Sequence, residues 1–290
     1  MNSSSLSERE GMLAVSGGNI WYKVAGNSDK TPLIVLHGGP GFPHNSLLPL
    51  AALADERPVV FYDQLGCGKS DRPTDESLWT IPRYVEELSI LIKSLEFEKF
   101  HLFGHSWGSM LALEYYLKQP SGIESLIFAS PVFSVSQWEE NGSTYVQALS
   151  EKYQKVIKAH DTGKPYDLDA FKDAEAEYNR RHLCRLNPWP KDLKQSVAGL
   201  GLDVYRYMWG NCEWKPIGTL KSYERADTLR KINIPVLLTC GWYDNPTPET
   251  TALYTKQIPD ARMKVFENSS HSAFLEDQEN FVRTVRDFLD

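Results

Sequence analysis

Ser106 stands between two glycines in the stretch FHLFGHSWGSMLALEYY, residues 100–116. Residues 100–103 are short, apolar and aromatic, as in a buried strand, while Met110, Leu111, Leu113, Tyr116 and Leu117 recur at helical spacing until Gln119 meets Pro120. The pattern predicts a strand, a sharp turn and a helix. A turn this tight brings the backbones on either side of its central residue together, and a Cβ two positions before or after would clash. Gly104 and Gly108 remove both. Ser106 then sits strained above the sheet with its hydroxyl exposed and the positive end of a helix behind it, a G-x-S-x-G nucleophile elbow. A serine used this way needs a base, an acid to orient the base, and donors for an oxyanion.

Open α/β sheets bind ligands beyond the carboxyl ends of their strands, so partners are sought just after strand-like runs. PVLLTCGWYDNPTP places Asp244 in such a loop, and RMKVFENSSHSAF places His271 between the next strand and the last helix. The order Ser106, Asp244, His271 is that of an α/β-hydrolase triad, in which His271 would take the serine proton and Asp244 would fix its tautomer. LHGGPGF follows the first core strand and offers backbone donors for an oxyanion. One donor is expected from Trp107, next after the nucleophile. The other comes from Gly38, Gly39 or Gly41, since Pro40 has no N–H, and Gly39 is the favoured position.

The elements that must hold these residues are legible as patterns. Residues 12–25 alternate around Gly17 and Gly18 like a hairpin, and apolar runs follow at 33–36, 59–62, 100–103, 126–129, 236–239 and 263–266. Helical patterns separate several of them, such as 83–95 and the final 276–289. Strands alternating with helices predict an α/β fold, a mostly parallel sheet covered on both faces. From 133 to 225 the chain is polar, rich in Glu, Lys, Trp and Tyr, and poor in strand-like runs. This predicts a helical cap, residues 133–225, inserted between the two parts of an α/β-hydrolase core, 1–132 and 226–290.

The 290 residues carry a net charge of −7 and no Lys/Arg block, which argues against nucleic acid or an anionic membrane as partner. No apolar stretch reaches the length of a membrane span, and MNSSSLSEREG lacks a signal peptide's hydrophobic segment, so a cytoplasmic location is expected. Cys67, Cys184, Cys212 and Cys240 are scattered without C-x-x-C spacing and read as free thiols. No cofactor and no metal is expected.

Together, HGGPG, YDQLGCGKS, GHSWGS, YDNPTP and the late SSH resemble the proline iminopeptidase family, the prolyl aminopeptidases and tricorn-interacting aminopeptidases of the α/β-hydrolase fold. The resemblance spans nearly the whole chain. It implies a serine hydrolase that removes an N-terminal residue, often proline, from short peptides, with glutamates gripping the substrate's free amine. YRYMWGNCEW is similar to the family's cap motif and puts Glu213 on the matching position. The family's second amine-binding carboxylate usually follows the catalytic Asp, and here that position holds Asn245. Exchanging a carboxylate for a carboxamide weakens ammonium binding by about tenfold to a hundredfold. Two alternatives therefore stand beside the aminopeptidase: an amidase, esterase or lactonase acting on amino-acid derivatives or a specialised metabolite, and a non-hydrolytic receptor on the same fold.

Other motifs yield less. DQLGCGKS ends like a phosphate-binding loop, but Asp63 occupies its first glycine position. His101 and His105 are four apart on a strand and elbow, so their rings do not share a face as zinc ligands would. His37 reads as support for the oxyanion loop, and Asp63 as a rival triad acid placed too early in the chain. The aromatics Trp138, Trp189, Tyr205, Trp209 and Trp214 read as the cap's own core, with the walls of a pocket as the alternative.

Overall fold

The computed structural model describes residues 7–118 and 120–290; Gln119, where the sequence ends the helix after the elbow, lies outside them. Eight strands form one sheet: β1 (Glu8–Val15), β2 (Gly18–Ala25), β3 (Leu33–Leu36), β4 (Val59–Tyr62), β5 (Phe100–His105), β6 (Ile123–Ala129), β7 (Val236–Gly241) and β8 (Ala261–Phe266). Their spatial order is β1-β2-β4-β3-β5-β6-β7-β8. The hairpin β1–β2 and the pair β2–β4 are antiparallel, and every pair from β4 onward is parallel.

The central strands are apolar on both faces because both faces are covered. Successive side chains point opposite ways, so Ile34, Leu36, Val60 and Tyr62 join one core with helices α1 (Ile81–Ser94) and α2 (Trp107–Leu117). Leu33, Val35, Val59 and Phe61 join the other, with a 3₁₀ segment (His44–Asp55), the short α9 (Ala273–Glu276) and α10 (Gln278–Leu289). The final helical pattern is thus two helices rather than one. Glu276 turns its carboxylate onto the N–H and hydroxyl of Ser270, and the backbone breaks at Asp277.

Strand order reverses between β3 and β5, the place where an open α/β sheet offers a crevice. Leu36 pairs with Gly104 there, so the loop after β3 and the turn after β5 leave the sheet side by side.

Helix α8 (Pro248–Thr255) lies between β7 and β8, and five α-helices lie between β6 and β7: α3 (Val135–Gln147), α4 (Glu151–Asp161), α5 (Leu168–His182), α6 (Lys191–Ala198) and α7 (Leu202–Met208). The chain leaves and re-enters at one point, where Val135 N bonds Tyr223 O (3.0 Å) and Arg225 N bonds Phe133 O (2.7 Å). A separate apolar cluster holds Leu149, Ile157, Phe171, Tyr178 and Trp214 together. Trp138 and Trp209, read from sequence as the cap's own core, pack edge-on against each other at 5.4 Å and join the main core cluster instead.

Candidate active site

Ser106 adopts φ 53°, ψ −119°, in the left-handed region that L-residues avoid. The glycines around it answer to backbone. A Cβ on Gly104 would stand 2.3 Å from Gly108 O, and one on Gly108 would stand 2.2 Å from Leu36 O. The elbow therefore packs directly on the end of β3, and α2 begins immediately after the serine. Its first N–H, on Trp107, belongs to the orphan donors of a helix start and has no partner among the described residues. The N–H of Gly39 is likewise unpartnered, and Gly38 and Gly39 line the same small cavity as Ser106, whereas Gly41 does not. Gly39 has φ +109°, and a Cβ there would meet Gly41 N and Phe42 N at 2.6 Å.

His271 and Asp244 come together from the loops after β8 and β7. His271 Nδ1 lies 2.7 Å from Asp244 Oδ1, both side chains buried. The same oxygen accepts the N–H of Asn245 at 2.7 Å, and Oδ2 accepts that of Gly241 at 3.4 Å, so the carboxylate is held as an acceptor. Burial pulls the His271 pKa down, but the charge and hydrogen bond of Asp244, with Glu213 and Glu276 beyond, outweigh it and raise the pKa above the ordinary 6.5. His105, whose ring centroid is 4.6 Å from that of His271, is driven well below it by burial and by the His271 charge. It spends Nε2 on His271 O at 3.0 Å and is no base for Ser106.

Ser106 and His271 line one cavity of about 40 Å³ with Gly39, Tyr205 and Glu213. Ser106 Oγ makes no hydrogen bond among the described residues, and neither does His271 Nε2, the nitrogen that Asp244 leaves available. Asp63, the rival acid, is elsewhere engaged: it takes the backbone and ring N–H of His44 and the N–H of Lys69.

Glu213 follows α7 on a turn through Gly210 and is half-buried. Burial raises its pKa against the opposing pull of His271 and of the Tyr205 hydroxyl, which donates to Oε1 at 2.7 Å. Among the described residues no Lys or Arg pairs with it, so a carboxylate in a low-dielectric wall lacks a cation. Phe42, Leu183, Tyr205 and Glu213 also line a neighbouring cavity of about 610 Å³, together with Trp189 and Glu175. Glu175, which the sequence did not single out, has its pKa raised by burial and by the Glu213 charge.

Asn245 does not line either cavity. It is 3% exposed, with Nδ2 donating to Trp138 O (3.2 Å) and Oδ1 accepting from the Tyr178 hydroxyl (3.3 Å). It braces the cap's aromatic wall. One buried trio, His37, Asp63 and Cys67, has metal-ligating atoms within 4.8 Å of one another. His37 and Asp63 accept from protein N–H groups there, and Cys67, kept a thiol by burial, donates to Gln64 O, so the trio fits a hydrogen-bonded brace better than an ion.

Residues 31–278 match the model of the alpha/beta hydrolase fold family. A proline iminopeptidase of Heyndrickxia coagulans is 41% identical over 282 residues, covering 97% of this chain and 98% of its own. The chain belongs to the proline iminopeptidase family of α/β hydrolases. Among solved structures, the proline iminopeptidase of Mycobacterium smegmatis superposes with TM-score 0.89 at 34% identity, covering 97% of each chain. VinJ does so with TM-score 0.92 at 33% identity, covering 97% of this chain and 98% of its own. An enol-lactonase from Burkholderia xenovorans LB400, at 21% identity and TM-score 0.69, shares the fold alone. Ser106, His271 and Glu213 line one cavity, Asp244 lies buried behind His271, and Asn245 stands outside the lining.

Two supports escaped the sequence. His182 of α5 holds both loops at once, with Nδ1 2.8 Å from Tyr243 O and its own carbonyl accepting His271 N at 3.1 Å. Tyr145 of α3 donates to Asp244 O at 2.9 Å. Neither residue carries a motif; each acts through a neighbour about 60 residues or more away.

Proposed function

We propose that this protein is a serine aminopeptidase that releases one N-terminal residue, proline or another small or hydrophobic one, from short peptides through an acyl-enzyme. Ser106 is the nucleophile, His271 the base, Asp244 its orienting acid, and the N–H groups of Gly39 and Trp107 receive the oxyanion. The observation that carries the reading is Glu213: a cation-less, half-buried carboxylate in the cavity that Ser106 and His271 line. A substrate ammonium supplies the missing charge and places the adjacent carbonyl at the serine.

The Ser106 hydroxyl turns to His271 Nε2, which takes the proton as Oγ attacks the carbonyl carbon. Negative charge develops on the carbonyl oxygen between the two N–H groups. The C–N bond breaks, the electron pair leaves with nitrogen, and the imidazolium returns the proton to the departing amine. Water, deprotonated by the same imidazole, then attacks the ester carbon; the acyl C–Oγ bond breaks, Oγ takes the proton back from the imidazolium, and the free amino acid leaves. Helices 133–225 act as the cap that shapes this space, on the core 1–132 and 226–290. The free, buried cysteines fit a reducing, cytoplasmic setting.

Arylamides of proline and alanine test the reading. Ser106→Ala abolishes release of the chromophore, and retained turnover would dismiss the nucleophile. Glu213→Gln raises KM sharply for free-amine substrates and little for N-acetylated ones; equal effects on both remove its role. A second reading, hydrolysis of amino-acid amides or esters, rests on Glu213 being the one carboxylate among the described residues that line the small cavity with Ser106, a grip on the amine weaker than a paired one. A strong preference for a prolyl peptide over prolinamide and a simple ester would end it.

A further inference from the structure

The two oxyanion donors, Gly39 N–H and Trp107 N–H, lie 68 positions apart on separate loops, yet each must reach the same oxygen within a few tenths of an ångström. Between them is Gln64, two residues past β4 and 1% exposed. Its backbone N–H donates to His37 Nε2 at 2.9 Å. That fixes the imidazole's tautomer, because the nitrogen accepting from an amide N–H carries no proton. The proton is on Nδ1, which donates to Gly38 O at 3.0 Å, the carbonyl of the very peptide that carries the Gly39 N–H. Burial, against the partial pull of Asp63 and the Gly38 contact, lowers the His37 pKa to about 4, so the ring stays neutral and able to accept. On its other side, Gln64 Oε1 accepts from the indole Nε1 of Trp107 at 2.8 Å. The indole is 1% exposed and packs edge-on against Tyr84 at 5.8 Å, so this bond anchors the residue that bears the second donor.

We propose that Gln64 is a positioning residue that sets the spacing of the oxyanion hole, its backbone tied through His37 to the Gly38–Gly39 peptide and its side-chain amide tied to Trp107. The proposal rests on the assignment of Gly39 and Trp107 as the donors. It separates Gln64 from residues that shape the amine subsite: Gln64 lines neither cavity and touches no substrate. Its effect therefore falls on the developing oxyanion and leaves ground-state binding alone.

The test compares Gln64→Met, which keeps length and loses the acceptor, Gln64→Asn, which keeps the amide and withdraws it by one methylene, and Trp107→Phe, which removes the indole donor but keeps the backbone N–H. Each is expected to lower kcat on alanine arylamide by about tenfold to a hundredfold with KM within twofold. Each should weaken an aminoacyl aldehyde, which binds as a tetrahedral adduct on Ser106, by the same factor, and leave inhibition by the free amino acid unchanged. Gln64→Met combined with Trp107→Phe adds no further loss, because both remove one bond. Unchanged kcat in the folded variants, loss shared equally between kcat and KM, or fully additive losses would overturn the proposal. If Gln64→Met does not fold, Gln64→Asn and Trp107→Phe carry the same comparison. Failure of the underlying reading shows separately, as turnover retained by Ser106→Ala.

Discussion

The His271 imidazole is the residue on which pH acts. Its pKa is raised above the ordinary 6.5, and only the neutral ring accepts the serine proton. Activity therefore falls as pH is lowered through that raised pKa, and the acid limb of a kcat profile lies above 6.5. Asp244→Asn removes the chief cause of the rise, leaves burial to depress the pKa, shifts the limb to lower pH and cuts kcat by about 10⁴. The linkage to folding has the opposite sense: the stabilisation from protonated, paired His271 is complete below its unfolded pKa and is lost as pH rises through the folded one. Glu213 makes a second residue-level prediction. Its ionised form is penalised by burial, so Glu213→Gln melts at an equal or higher temperature while losing about tenfold to a hundredfold in affinity for free-amine substrates. Calorimetry beside KM for the two substrate classes checks both halves. Asp244 and His271 were legible in the sequence because each follows a strand at a place where α/β sheets present side chains, whereas Glu213, which follows α7, was singled out only through the family resemblance of its stretch. Gln64, His182 and Glu175 were not legible, since their roles are defined by what the folded chain brings to them.

At the scale of elements, the elbow is the least forgiving. Gly104→Ala and Gly108→Ala put a Cβ 2.3 Å and 2.2 Å from backbone oxygens that belong to α2 and β3. No side chain can rotate aside, so either change costs about 2–4 kcal/mol or more, and a denaturant midpoint or a failure to accumulate folded protein reads it. The sequence located β3 and β4 to the residue, because buried central strands are continuous apolar runs bounded by turn residues. It extended the final helix through Asp277, because amphipathic periodicity runs across the break. The break is imposed from outside the segment, by the claim of Ser270 on Glu276. The 3₁₀ segment His44–Asp55 had no periodic signature, with Pro49 inside it.

For the molecule as a whole, the helices between β6 and β7 do more than cover the site. Tyr145 and His182 hold the acid and base loops from above, and Val204, Met208, Trp209 and Leu220 pack into the same core as α1 and α2. Replacing residues 134–224 by a short linker, though its ends already meet, exposes that core; the shortened protein is expected to aggregate, as size-exclusion chromatography would show. Tyr145→Phe, a milder version of the same loss, lowers kcat severalfold with KM little changed. The change in composition pointed to helices in this stretch, and helices lie there, but the sequence placed Trp138 and Trp209 in the cap's own core, whereas they join the main one, because hydrophobicity does not state which partner it meets. The central claim is that Ser106 becomes acylated by a substrate whose free amine is held in the cavity. Rapid-quench mass spectrometry with alanine p-nitrophenyl ester tests it most directly. The account predicts an alanyl adduct on the peptide bearing Ser106, absent from Ser106→Ala and much reduced with the N-acetylated ester. An adduct on another residue, or equal acylation by the two esters, would contradict it.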